Sequence, residues 1–443
     1  MSNAHPEFNA APSWYAALFT KKMAICFCIG FSSGLPIFIF PLLSVWLLEG
    51  GVSIAKLGGL TLMTFPYVFK VLWSPLLDRY AIQKLGRRRT WMIASQLLCL
   101  ALIASFGLFF PLQPNDVFAS WSFAGQLHEV TQLECIILLG TALAVASATQ
   151  DIAIDAYRRE ILTDKEQGLG VSWHVNAYRL AGLVPGSLAL ILTQSMAWPA
   201  VFGVVALFML PGLILSAVVS EPSSQTSAPK SLSDAISQPF LEFVRREGVQ
   251  SALWVLAFIL FYKLGDGMAT ALSSVFYKEM GFGNEDLGTV VKLASLIPMI
   301  VGGLLGGLWM NRLGVNRALW IFGLVQLGSI LGFAWLAYLG PFEQIHAHER
   351  LLLGGVVAFE YFGVGLGTVA SLAFIARATS PIYAAVQFSL FTSLAAIPSK
   401  ILGASTGWLV EQLGWVNFFY LCTVLAVPGM LILLKVAPWQ SEK

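Results

Sequence analysis

The apolar positions of this chain fall in long blocks rather than in stripes. Twelve runs approach or exceed the roughly 20 residues needed to cross a bilayer as helix. In the first half they are Met23–Leu48, Leu57–Leu77, Trp91–Leu112, Leu133–Asp155, Ser172–Gln194 and Pro199–Ser220. In the second half they are Ser251–Phe276, Leu287–Met310, Ala318–Gly340, Leu351–Ala376, Ala384–Trp408 and Val416–Leu434. Between the halves, residues 221–250 are rich in Ser, Pro and charge and read as a solvated linker with room for a short amphipathic helix. The pattern predicts an all-α membrane protein of two six-helix lobes, 23–220 and 251–434, flanked by short ends at 1–22 and 435–443.

Composition agrees. Of 443 residues, 57% are hydrophobic and 11% charged, where a soluble domain carries about 25% charged residues. The basic residues also set a direction. With the N-terminus inside, 18 of the 26 Lys and Arg fall in inner segments and only Lys56, Lys278 and Arg350 fall outside. The positive-inside rule therefore expects both chain ends in the cytoplasm. Lys21 and Lys22 precede a long first run without a small-residue cleavage pattern, which reads as an uncleaved span. The five cysteines lie in apolar runs at spacings that suggest neither a zinc site nor a disulfide frame.

The exceptions to the apolar rule carry the function. Lys70, Arg179, Lys263, Lys292 and Lys400, with Asp151, Asp155, Asp266 and Glu360, lie inside the predicted spans. Ionisable groups at such depth must face protein or a wet cavity. They fall on helices 2, 4, 5, 7, 8, 10 and 11 and leave helices 3, 6, 9 and 12 uncharged in their cores. A nested three-helix repeat whose third member faces lipid would produce that distribution, as in carriers. Asp151 and Asp155 stack on one helical face, with Gln150 beside them. Two readings compete for each acid: a carboxylate snorkelling towards Arg158 and Arg159, which suits Asp155, or a functional acid, which suits the deeper Asp151. Proton coupling needs an acid whose affinity for protons is tuned by burial or a neighbouring carboxylate. Asp151 comes first and Glu360, near mid-span in helix 10, second. Lys263 and Asp266, three apart, form either an internal ion pair or a gate element.

The halves also repeat each other. Leu77-Asp78-Arg79-Tyr80 is followed by Leu85-Gly86-Arg87-Arg88-Arg89 after helix 2, and Met310-Asn311-Arg312-Leu313-Gly314-Val315-Asn316-Arg317 follows helix 8. Such loops either hold helix ends by charge-assisted bonds that break when lobes rock, or are ordinary basic inner loops. The first reading makes Asp78, Arg79, Arg87, Arg88, Asn311 and Arg312 gating residues.

Several strings then become recognisable. Tyr67-Val-Phe-Lys70, Trp73-Ser-Pro-Leu-Leu-Asp-Arg79, Gln150-Asp-Ile-Ala-Ile-Asp155 and Tyr178-Arg179-Leu180 resemble the AmpG muropeptide permeases of the Major Facilitator Superfamily. Tyr262-Lys-Leu-Gly-Asp266, Phe359-Glu360 and Ala385-Val-Gln-Phe-Ser389 continue the likeness over nearly the whole chain. The long C-terminal extension of some members has no counterpart here. The resemblance implies proton-coupled import of N-acetylglucosaminyl-1,6-anhydro-N-acetylmuramyl peptides across a bacterial inner membrane, with an exporter or an acetyl-CoA-like carrier as alternatives. Such cargo bears carboxylates, hydroxyls and N-acetyl groups. Lys70, Arg179, Lys263, Lys292 and Lys400 are candidate carboxylate partners, Arg179 being suited to a bidentate grip. Tyr67, Tyr178, Tyr262, Tyr361, Trp46 and Trp173 are candidate faces for sugar or peptide, each with packing as the rival role. Gln150, Asp266 and Gln387 complete the candidate substrate contacts.

Enzyme function finds no support. Gly403-Ala-Ser405-Thr-Gly407 has nucleophile-elbow spacing but sits in a helix. No phosphate-cradling loop occurs, and His346 with His348 lacks a third metal ligand. A permease that needs no cofactor or metal, partnered by substrate, proton and bilayer and not by nucleic acid, and monomeric, is the expectation.

Overall fold

A computed structural model describes residues 18–52, 60–82, 84–123, 126–222, 232–403 and 405–439. Among these, ten stretches are long and apolar enough to cross a membrane. They differ from the predicted twelve at two places. Leu287–Leu339 runs through Gly314, whose φ of 76° and ψ of 162° are not helical, so this stretch is helices 8 and 9 meeting at a corner. Helix 2 is broken into short turns, Leu60–Thr64, Pro66–Phe69, Lys70–Leu72 and Ser74–Arg79. Pro66 and Pro75 each withhold a backbone donor, which interrupts the regular ladder. Gly414 (φ 73°) makes a second corner, between the end of helix 11 and helix 12.

The remaining spans follow the hydrophobic pattern: helix 1 Lys21–Glu49, helix 3 Arg87–Phe109, helix 4 Gln132–Ile161, helix 5 Gln167–Leu192 and helix 6 Trp198–Val218. Helix 7 is Val249–Ala271, helix 10 Ala347–Ala378, and helix 11 begins at Pro381. Residues 232–247 form the linker helix Leu232–Glu247. One element departs from expectation: strands Val117–Phe123 and Gln126–Thr131 pair antiparallel between helices 3 and 4. Thr131 then closes the hairpin and opens helix 4, its hydroxyl accepting from the Glu134 N–H while the Glu134 carboxylate accepts from the Thr131 N–H.

Each half has its own aromatic core. Trp46, Phe106 and Phe202 pack at the centre of the first, and Phe276, Phe333 and Phe419 at the centre of the second. Val171 and Val175 of helix 5 sink into the second half's apolar cluster, so the seam between halves is itself packed.

Helix 5 lies between the two halves, in close contact with helix 1 on one side and helix 8 on the other. On one side Gly30 and Gly34 of helix 1 lie against the backbone of His174 and Tyr178, at a distance where a side-chain carbon would strike the carbonyls. On the other side Gly303 and Gly307 of helix 8 lie against Asn176 and Ser172. Close approach through small residues is how membrane helices gain packing without a hydrophobic driving force between them. Gly30→Ala should therefore force helices 1 and 5 apart and destabilise the protein by about 1–3 kcal/mol. The measurement is thermal unfolding in detergent; an unchanged Tm would contradict the close contact.

Candidate functional site

The end of the molecule that carries the Arg-rich loops is sealed. Arg88 is almost fully buried and holds two carboxylates, Asp78 at 2.8 Å and Glu160 at 2.6 Å. Arg87 adds a longer contact to Glu160, at 3.5 Å. The Glu221 carboxylate accepts from the Arg88 and Arg89 N–H groups at 2.7 and 3.1 Å, which caps the otherwise unsatisfied start of helix 3. Arg89 reaches the carbonyls of Ser216 and Ala217 at the end of helix 6. Helices 2, 3, 4 and 6 are thus tied at one end by charge-assisted bonds.

That knot reaches across the seam. The second Asp78 oxygen accepts from the Val386 N–H at the start of helix 11, 3.2 Å away. Arg159 donates to the Thr379 carbonyl (3.1 Å), and the Arg158 guanidinium lies 5.3 Å from the centre of the Phe388 ring. Ser172 donates to the Gly303 carbonyl at 2.7 Å. The second loop behaves differently from its sequence likeness. Asn311 and Arg312 are exposed, and Asn316 instead accepts from Arg377 while Arg317 and Trp320 bind the carbonyls of Trp439 and Ala437. It secures its own half and the end of helix 12. Arg79 lies 5.6 Å from the Tyr80 ring, outside the knot.

Beyond the seal lies a cavity of about 230 Å³ between the halves. Phe38, Arg179, Gly186 and Ser187 contribute from the first half; Lys292, Ser295, Met299 and Tyr361 contribute from the second. Its ionisable lining is two cations and one phenol. Arg179 is fixed by donation to the Met299 carbonyl at 3.0 Å, and Tyr178 sets its ring edge-on to Phe38 at 5.6 Å. A larger space of about 810 Å³ opens at the basic end, but it is lined mainly by helix ends of the first half, with Lys21, Lys22, Glu160 and Glu221, and meets none of the mid-span acids. The smaller cavity brings residues of both halves together with two of the predicted cations, Arg179 and Lys292.

The mid-span acids fall into two groups, one in each half. In the first half Ser33 donates to Asp151 at 2.5 Å, with Lys70 and Tyr67 of helix 2 nearby. Asp155 is instead paired with Arg158 at 3.0 Å, one turn towards the basic end. In the second half Lys263 and Asp266 form an ion pair at 2.5 Å, and Glu360, fully buried, lies beside Asp266.

Other candidates face elsewhere. The Gln150 amide donates to Ser32 at 3.1 Å inside the first half, where Gln96 donates to the same hydroxyl. Tyr262 donates to the Leu319 carbonyl (3.0 Å) inside the second half. Trp46 is core, stacked edge-on to Phe202, and Trp173 packs against Phe19 and Phe27. Gln387 holds the linker helix. In this structure each of these five side chains is engaged in packing or with a partner within the protein. The Lys400 side chain lies outside the described residues. Phe38, Ser187 and Ser295 line the cavity without having been singled out, since an isolated Phe or Ser in an apolar run carries no distinguishing signal.

Comparison with known proteins adds identity to this geometry. A family model described as Acetyl-coenzyme A transporter 1 matches residues 23–176. An uncharacterized protein of Haemophilus influenzae is 46% identical over 430 residues, 96% of each chain. The anhydromuropeptide permease of Escherichia coli K12 is 35% identical over 426 residues, covering 95% of this chain and 81% of that one. Among solved structures, the Major Facilitator Superfamily transporter FucP in its outward conformation aligns with a TM-score of 0.67 at 11% identity, covering 96% of this chain and 100% of that one. The proton:xylose symporter XylE aligns with a TM-score of 0.64 at 13% identity, over 96% and 97%. At such identities the two structures show the fold alone.

The knot makes a direct prediction. Arg88→Ala leaves Asp78 and Glu160 buried without their main partner, which should destabilise the protein by roughly 3–5 kcal/mol. Arg88→Lys should recover only part of this, because an ammonium cannot present the planar fork that spans two carboxylates. Thermal unfolding of the purified variants checks both.

Proposed function

The chain belongs to the anhydromuropeptide permease family of Major Facilitator Superfamily transporters, and from that premise we propose that it imports anhydro-muropeptides across a bacterial inner membrane, driven by protons. It is a multi-pass membrane transporter; cargo, direction and coupling are what the proposal adds. The observation that carries it is the cavity between the halves, where Arg179 and Lys292 present two positive charges without an acid among the lining residues. An anionic solute is what such a lining selects. The stem-peptide carboxylates of a muropeptide would take the cations, and Phe38, Tyr361 and the serines suit sugar rings and hydroxyls. The space is too small for a whole disaccharide peptide, so cargo enters as the halves part.

The positive-inside rule makes the basic end cytoplasmic, with both termini there. The seal through Asp78, Arg159 and Ser172 then closes the cytoplasmic side and leaves the cavity to the periplasm, the state in which an importer receives its load. Asp151 is the leading proton carrier. It lies mid-span and accepts from the Ser33 hydroxyl, and Asp155 is already committed to Arg158. Glu360, beside Asp266, is the second acid through which a proton could pass.

A second reading draws on the family model matched by residues 23–176, whose description names acetyl-coenzyme A. The same two cations would receive phosphates. Counterflow with labelled anhydro-muropeptide against labelled acetyl-coenzyme A separates the readings, and an exporter would show uptake only into inverted vesicles.

The deciding experiment is uptake of labelled anhydro-muropeptide into proteoliposomes under an imposed pH gradient, acidic outside. Accumulation should collapse with an uncoupler; accumulation that ignores the uncoupler removes the proton from the mechanism. Asp151→Asn should leave folded protein in the membrane and abolish accumulation, and normal uphill uptake by that variant would exclude Asp151. Arg179→Ala should weaken substrate binding roughly 10- to 100-fold, the range for a lost charge-assisted hydrogen bond. Unchanged affinity in a direct binding assay would take Arg179 out of the site.

A further inference from the structure

The linker helix Leu232–Glu247 has two faces, and one of them is bound to protein. Pro239, Glu242, Phe243 and Arg246 recur at helical spacing and share a face. The buried Gln387 amide donates to the Pro239 carbonyl (2.8 Å) and the Glu242 carboxylate (2.7 Å), while its oxygen accepts from the Ser380 N–H (2.7 Å). Phe243 sets its ring 5.1 Å from that of Phe391, and Arg246 donates to the Ala378 carbonyl at 2.6 Å. Every one of these anchors belongs to the chain leaving helix 10 and entering helix 11. Next along lies Val386, whose N–H is held by Asp78 across the seam. The helix also packs against the last turn of helix 2. It is a strap over the sealed end.

The opposite face carries Phe240, Leu241 and Val244, 44%, 45% and 37% exposed, with Arg245 alongside. The position of the helix decides what covers them. Gly248 alone separates Glu247 from helix 7, with φ of 78° and ψ of 150°. One residue of left-handed backbone turns the chain and advances it by no more than about 4 Å. The strap therefore lies at the depth where helix 7 enters hydrocarbon, at the boundary of headgroups and acyl chains. An apolar strip flanked by Arg is the pattern of a helix lying in that boundary.

We infer that the linker helix is an interfacial element that binds anionic phospholipid. Phe240, Leu241 and Val244 insert into the acyl–headgroup boundary, and Arg245 pairs with headgroup phosphate. The same rigid helix holds Gln387 on its other side. Helix 11 cannot swing away from helix 2 without either breaking the Gln387 bonds or carrying the strap across the lipid surface. The inference does not depend on what the protein carries.

The test replaces Leu241 with photoreactive p-benzoylphenylalanine in the full chain. The protein is reconstituted in phosphatidylcholine vesicles with and without phosphatidylglycerol, irradiated, and its adducts identified by mass. The expected adduct is phospholipid, with phosphatidylglycerol captured beyond its share. Arg245→Gln should reduce that preference about fivefold, the worth of one basic side chain near an anionic surface. The same probe at Phe243, on the bound face, should capture helix 11 and not lipid. An adduct at position 241 to another part of this chain or to a second copy would overturn the inference, as would capture indifferent to headgroup charge and to Arg245.

Discussion

The buried Arg88 guanidinium holds together the helix ends of the first half at the closed end. Arg88 sits where neither water nor lipid headgroups can solvate it, and it is tolerated there because Asp78 and Glu160 both face it at bonding distance. Breaking such a group leaves unpaired charges in low dielectric, which is why its geometry is stiff. Stiffness has a use. With one Asp78 oxygen fixed by Arg88, the other is aimed at the Val386 N–H and joins the two halves by a bond whose position is set within one of them. The bonds that cross the seam here, Asp78 to Val386, Arg159 to Thr379 and Ser172 to Gly303, are separate from the ion pairs that define the end of the first half.

The same division between rigid halves and a breakable seam recurs along helix 5. Towards helix 1 it is locked by Gly30 and Gly34, where backbones touch and no side chain could intervene. Towards helix 8 the contacts are Gly303 and Gly307 against the Asn176 and Ser172 side chains, a serine hydroxyl on a carbonyl, an arginine on a carbonyl, and apolar surface. Each of those bonds can be exchanged for water at small net cost. Helix 5 is thus joined to the first half by backbone contact and to the second by bonds that water could replace. Arg179 both lines the cavity and holds the Met299 carbonyl, so under the proposed function a ligand carboxylate and the seam would compete for one guanidinium.

How much of this was legible in the sequence depends on range. Asp155 with Arg158 and Lys263 with Asp266 are three apart, and helical spacing alone predicts their pairing. The spans were legible because hydrocarbon demands long apolar runs, and helix 2 fell into pieces where its two prolines stand. The hairpin at 117–131 had a period-two signal around Gly125 that the surrounding loop obscured. The Asp78–Val386 bond spans 308 positions and has no local signature. Gln387 was legible as a polar side chain in a recognisable string, but its bonds to the linker helix, across about 145 positions, have no local signature.

The repeated loop teaches a related point about symmetry. Gly86 and Gly314 both adopt positive φ, near 87° and 76°, and each starts the third helix of its half, so the backbone repeat that the sequence suggested is real. The side chains on the two copies do opposite things. In the first half the loop's charges are buried and reach the seam; in the second, Asn316 and Arg317 bind Arg377 and the carbonyls after helix 12. A twofold arrangement of helices thus carries a one-sided lock. That asymmetry fits a machine in which the first half supplies the fixed frame of the gate and the second supplies the backbone donors and acceptors it grips. The linker helix, bound to the second half's Gln387 and lying against the end of helix 2, is the one connection that must accommodate both.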